Sequence, residues 1–144
     1  MATRLTRLRY VFDTSVFTHL HRDEVTDALS ELDGQMMVTS LTKLEFGYSA
    51  ASAQDWVVRS QVIEDLCETV FTTEDDFGRA LAVQKALAAQ GLKGRKPPDL
   101  LIAAVAERLD AIALHYDNDY ALISGITGQT HQWVVPKGSL ATKS

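Results

Sequence analysis

Short apolar, β-prone runs alternate along this chain with stretches of helical periodicity, and two of the runs lead straight to acids. Tyr10-Val11-Phe12 ends at Asp13, and Ala111 to Leu114 is followed by Asp117 and Asp119. Met36-Met37-Val38, Thr69-Val70-Phe71 and Trp133-Val134-Val135 are further strand candidates. Between them, Val25, Leu29 and Leu32 fall at helical spacing, with Gly34 as a stop. Leu41, Leu44 and Tyr48 mark one face of a helix that starts at Thr39-Ser40. Trp56, Val58, Val62, Ile63 and Leu66 suggest another, and Phe77, Leu81, Val83 and Leu87 a longer one that Gly91 would end. Pro97-Pro98 opens the most apolar helix, Leu100 to Leu109, and Asn118 to Ile123 reads as a short one. An element apolar nearly all round packs on several sides. Strands alternating with helices predict an α/β fold, a three-layer sandwich whose mostly parallel central sheet is flanked by helices.

With 144 residues, 46% of them hydrophobic, the chain can bury a core without cross-links. Its one cysteine, Cys67, cannot form a disulfide within the chain, reads as a small buried hydrophobe and suits a reducing, cytoplasmic setting. No apolar run approaches the roughly 20 residues that span a bilayer, so no membrane partner is expected. Residues 1–9 lack the apolar stretch of a signal peptide and read as a flexible lead-in. The formal charge of -5 argues at first against a nucleic-acid partner. Setting aside the five acids proposed below as a site leaves 14 acids against 14 bases, so the negative excess is able to be local.

In open α/β sheets, sites form beyond the carboxyl ends of the strands. Asp13, Asp117 and Asp119 stand there, Glu45 lies in the first turns of the helix after Val38, and Asp99 opens the apolar helix. In a parallel sheet all five are able to converge on one edge. Carboxylates gathered that closely raise one another's pKa, and a hard divalent cation resolves the conflict. Mg2+ or Mn2+ takes such oxygen ligands. His19, His21, His115 and His131 form no zinc-like spacing.

Each acid also has an ordinary structural reading. Asp13 is able to be a turn residue. Glu45 fits a capping box with Thr42, Asp99 suits the positive end of its helix, and Asp117-Asn118-Asp119 resembles a common turn. It is the joint pattern that points to a metal site. The basic loop Lys93, Gly94, Arg95, Lys96 is most often a solvated surface; its functional reading is contact with substrate phosphates beside Asp99. Trp56 and Trp133 read as packing residues.

These residues resemble the PIN-domain nucleases, and within them the VapC-type toxins of bacterial toxin–antitoxin pairs, over roughly Tyr10 to Pro136. Tyr10-Val11-Phe12-Asp13-Thr14-Ser15 is similar to the family's opening strand, with Asp13 at its first metal-site Asp and Ser15 at the companion position that orients it. Thr39 to Gly47 resembles the segment bearing the family's Glu, here Glu45. Pro98-Asp99-Leu100-Leu101-Ile102-Ala103-Ala104 is the most family-like stretch, and Asp117-Asn118-Asp119-Tyr120 is similar to D-x-D-F, with Tyr120 for Phe. His115 stands where the family often has Thr.

The resemblance implies one nuclease domain at 10–136 with a tail at 137–144. It implies an endoribonuclease that needs Mg2+ or Mn2+ and acts on structured RNA, so inhibiting translation. It also implies a homodimer and a cognate antitoxin whose C-terminal segment lies in the acidic site. Asp13, Glu45, Asp99, Asp117 and Asp119 are then the catalytic metal ligands, direct or through water. Lys93, Arg95 and Lys96 are candidate phosphate contacts. A phosphatase with an Asp nucleophile is disfavoured because Ser15 stands where its second Asp is expected, and a receiver domain lacks its acid pair. The remaining alternative is a catalytically silent PIN-like module that acts by binding antitoxin or RNA.

Overall fold

The computed structural model describes residues 7–93 and 95–140. Gly94 of the basic loop, residues 1–6 of the expected lead-in and residues 141–144 of the expected tail lie outside the described residues. In chain order the elements are β1 (Leu8–Phe12), α1 (Thr14–Thr18), α2 (Asp23–Ser30), β2 (Gly34–Thr39), α3 (Ser40–Tyr48) and α4 (Ala53–Leu66). They continue with β3 (Glu68–Val70), α5 (Glu74–Ala89), α6 (Pro97–Arg108), β4 (Ile112–His115), α7 (Asp119–Thr127) and β5 (His131–Trp133).

The five strands form one sheet in the order β3-β2-β1-β4-β5, and each pairing is parallel. Side chains alternate across it, as the two-residue period of a strand dictates. Tyr10, Phe12, Val38 and Leu114 enter a core that includes Val16, Phe17, Val25 and Ile63, under the helices α1 to α4. Val11, Met37 and Ala113 face the opposite core, with Val83, Leu87, Leu100, Ile102 and Ile123 from α5 to α7. The expected three-layer sandwich is therefore the observed one. Helix α6 is buried from Asp99 through Ala106, in keeping with its apolar sequence. A capping box of Thr73 and Asp76 starts α5. The buried Asp76 also accepts from Arg108 Nε at 2.9 Å, tying α5 to the end of α6.

Several local expectations change. Gly34 does not stop a helix; it begins β2. A side chain there would place its Cβ 2.5 Å from the Leu8 carbonyl oxygen, so the close approach of β1 and β2 is what requires glycine. Leu8 and Arg9, expected in the lead-in, belong to β1. Near the other end, Leu140 of the expected tail is buried in the core under α1 to α4. The apolar stripe of α3 faces outward, with Leu44 71% and Tyr48 92% exposed, while Thr42 is the buried residue of that helix. Trp56 is exposed too and lies over Gly47, where an added Cβ would meet its indole nitrogen at 2.6 Å. Cys67 is buried, as expected, and burial pushes its thiol up to about 12.

Candidate active site

The chain starts in the middle of the sheet, builds outward through β2 and β3, then crosses back to lay β4 on the other side of β1. Segments leaving β1 and β4 therefore part company at their carboxyl ends, the switch point where open α/β sheets hold ligands. The polar groups at this point come from the end of β1, the first turn of α6 and the β4–α7 turn.

Asp13 follows β1 and caps α1. It is 3% exposed, yet three donors reach it. Its Oδ2 accepts from the Ser15 N–H at 2.9 Å and the Ser15 hydroxyl at 2.5 Å, and its Oδ1 accepts from the Tyr120 hydroxyl at 2.7 Å. Ser15 Oγ in turn accepts from the Tyr116 N–H at 2.8 Å, which joins the β1 end to the β4 end.

Asp99 sits in the first turn of α6, behind Pro97 and Pro98, and is 5% exposed. Its Oδ2 is the one buried side-chain nitrogen or oxygen among the described residues without a hydrogen-bond partner. Carboxylate oxygens of Asp99, Asp117 and Asp119 lie within 4.8 Å of one another. Burial, then the charge of Asp13, a hydrogen bond shared with Asp119 and the charge of Asp117 push the Asp99 carboxyl up to about 9. Lys96, with Nζ 3.8 Å from Asp99 Oδ2, opposes this only in part.

The β4–α7 turn is internally braced. Asp117 Oδ1 accepts from the Asp119 N–H at 2.9 Å, and the Asp117 N–H donates to His115 Nδ1 at 3.1 Å. That bond leaves the His115 proton on Nε2, which lies 2.8 Å from His131 Nδ1. Burial and the neighbouring His131 lower His115 to about 3, so it stays neutral at any working pH. Its ring stacks on Tyr120 at 4.6 Å between centroids. The residue that stands where the family often has Thr thus anchors the backbone of Asp117 and the ring of Tyr120.

The other expected site residues are placed as follows. Glu45 is not among the three clustered acids; its Oε1 accepts from the Thr14 hydroxyl at 2.7 Å, one residue after Asp13. The capping box expected between Thr42 and Glu45 does not form, because Thr39 is the N-cap of α3 and bonds the Thr42 N–H. In the basic loop, Lys96 Nζ donates to Asp117 Oδ2 at 3.0 Å, and Arg95 spends one nitrogen on Asp119 at 3.2 Å and two on the Lys93 carbonyl. Lys93 is exposed. Sequence reasoning missed the hydroxyl of Tyr120 as a partner of Asp13, across 107 residues. The tyrosine within Asp117-Asn118-Asp119-Tyr120 was its only signal.

The donor set is that of a hard-cation site: oxygens only, one of them buried and unpartnered, crowded enough to raise a carboxyl pKa. Asp99, Asp117 and Asp119 fit a divalent cation on these grounds; Asp13, like Glu45, is not one of the three clustered acids, but its charge acts on Asp99.

Residues 10–126 match the PIN domain. Ribonuclease VapC51 of Mycobacterium tuberculosis is 42% identical over 135 residues, covering 92% of this chain and 98% of that protein. Ribonuclease VapC18 of the same organism is 38% identical over 136 residues, covering 91% of this chain and 98% of that protein. Among solved structures, VapBC-1 from nontypeable Haemophilus influenzae superposes with a TM-score of 0.72 at 16% identity, covering 88% of this chain and 98% of that one. From the sequence match and the shared fold, the chain belongs to the PIN-domain family, in its VapC branch.

Proposed function

We propose that this chain is a divalent-metal-dependent endoribonuclease and the toxin of a VapBC-type toxin–antitoxin pair. The observation that carries the metal reading is Asp99 Oδ2, buried without a hydrogen-bond partner beside the carboxylates of Asp117 and Asp119. The ribonuclease reading rests on relatives named Ribonuclease VapC that match nearly end to end. The toxin–antitoxin reading is supported by solved VapBC structures of like fold, one of them bound to a promoter DNA fragment.

Asp13, Asp99, Asp117 and Asp119 would hold Mg2+ or Mn2+, with Glu45 joining through water. The cation supplies Lewis acidity that lowers the pKa of water and offsets charge on the scissile phosphate and leaving oxygen. Around it, Ser15 and Tyr120 fix Asp13, and His115 fixes the Asp117 backbone. Lys96 and Arg95 hold positive charge at the rim of the cluster, where a phosphodiester would arrive, and exposed Lys93 extends that charge along the loop. The substrate is structured RNA, and its cleavage inhibits translation. A cognate antitoxin restrains the enzyme, which works as a homodimer in the cytoplasm. None of the described helices is long and apolar enough to cross a membrane.

The test is incubation of the purified protein with total RNA in Mg2+, in Mn2+ and in chelator, beside Asp99→Asn. Discrete fragments that need metal and vanish in the variant are expected. Cleavage that resists chelator would overturn the mechanism, and no cleavage with either metal would point to the silent binding module.

A further inference from the structure

Tyr120 is 1% exposed, and its hydroxyl donates to Asp13 Oδ1 at 2.7 Å. An ionised carboxylate only accepts, so the tyrosine is the donor. The ring is itself immobilised, stacked at 19° on His115, which is anchored to the Asp117 N–H and to His131. Asp13 is therefore gripped at both ends of its carboxylate. Ser15 holds Oδ2 with two bonds, and Tyr120 holds Oδ1 from the far side. An ionised carboxylate has about four lone-pair sites, and three are taken, which leaves one, on Oδ1. With both oxygens pinned, the group cannot swing about its Cβ–Cγ bond.

We propose that Tyr120 is a positioning residue for metal selectivity: its hydroxyl, with Ser15, fixes Asp13 as a rigid single-oxygen ligand and so favours Mg2+ or Mn2+ over Ca2+. The physical reason is the difference between the ions. Mg2+ demands near-ideal octahedral geometry, and Mn2+ shares that preference for six oxygens. Ca2+ accepts irregular shells and carboxylates bound through one oxygen or two. A carboxylate freed at Oδ1 tilts and tolerates Ca2+, while the strict geometry suffers. A phenylalanine at this position fills the same space without the bond, so the hydroxyl is separable from the packing. The inference rests on the metal reading of the site, and its test keeps the two apart.

Mn2+ and Ca2+ alone are titrated into the full chain by calorimetry, in wild type, in Tyr120→Phe and in Tyr116→Phe, whose lost hydroxyl accepts instead from the Leu140 N–H. Loss of a partner that orients a metal ligand costs roughly 10- to 100-fold in affinity. Tyr120→Phe is expected to weaken Mn2+ at least about tenfold and to change Ca2+ less than about threefold, so that the ratio of the two constants falls. Tyr116→Phe is expected to keep the wild-type ratio. A purely structural role for Tyr120 would move both metals together or neither, and that result overturns the inference while leaving the metal site standing. Wild-type protein that binds no Mn2+ would overturn the site reading, and the inference with it. Should Tyr120→Phe fail to fold, Ser15→Ala loosens the other oxygen; an unchanged ratio there overturns the inference equally.

Discussion

Two buried carboxylates face the same switch point from different elements, and their surroundings are opposites. At the end of β1, Asp13 receives three donors and is held at both oxygens. In the first turn of α6, Asp99 is equally buried but has an oxygen with no hydrogen-bond partner, and its carboxyl is pushed up to about 9. A buried polar group without a partner is costly, and native proteins keep few of them. The chain itself satisfies and orients Asp13 but leaves one oxygen of Asp99 without a hydrogen-bond donor, the place that a ligand takes in the function proposed above. The chemistry that fits an unpartnered carboxylate among two more is a cation.

The largest effect that would break this contrast comes from single isosteric changes. Asp99→Asn and Asp13→Asn should each lower RNA cleavage by more than about a hundredfold, beyond the loss of an orienting partner. Their melting curves should diverge. Asp13→Asn presents an amide to donors that need an acceptor and should cost about 1–3 kcal/mol. Asp99→Asn replaces a carboxyl that is already protonated at neutral pH with a neutral group of the same shape, and should leave stability there nearly unchanged. Equal destabilisation by both would show that the two surroundings are not opposites.

A pH series sharpens the same comparison. The Asp99 carboxyl stands at about 9 in the folded chain against an ordinary value of 3.8, so between these values the folded state binds more protons than the unfolded state. Its stability is therefore full at the acid end and declines as pH rises toward 9. Thermal melts in chelator from pH 5 to pH 9 should show this decline, and Asp99→Asn should flatten it. A decline of the same size in the variant would assign it to other groups.

The smallest effect concerns the rim. Lys96 is 66% exposed, and its ion pairs with Asp117 and Asp99 are screened by solvent. Lys96→Gln should tighten Mn2+ binding by no more than about fivefold, an exposed pair's worth, because a competing cation leaves the cluster. The same variant should weaken RNA binding as measured with a non-cleaving Asp99→Asn background. Loss of both affinities would mean that Lys96 supports the site rather than competing for it.

Much of this arrangement is legible along the sequence. The acids stand directly after apolar runs, and the parallel pairing of β1 with β4 carries Asp13 and Asp117 to the same edge. The apolar run of α6 announces a central helix, so an acid in its first turn had to be buried or paired. Orientation was not legible. The stripe Leu41, Leu44, Tyr48 has the right period for a helix, but period does not say which side the sheet lies on, and Leu44 and Tyr48 turn outward. Phe77 and Leu81 on α5 are exposed for the same reason. Gly34 looked like a helix stop because the close approach of Leu8 is visible only once the strands are paired. The capping box at Glu45 failed because the N-cap fell three residues earlier, at Thr39. The Tyr120 bond to Asp13 joins residues whose separation no local pattern spans.

The most direct test of the central claim is proton release on metal binding. Mn2+ is titrated at pH 7 by calorimetry in two buffers of different ionisation enthalpy. Metal ligands must shed their protons to bind, and Asp99, at about 9, is protonated at that pH. Binding should release about one proton per cation at pH 7 and progressively less as pH approaches 9. Tight binding with no proton release at pH 7 would contradict the account, because the cation would then sit on carboxylates other than Asp99.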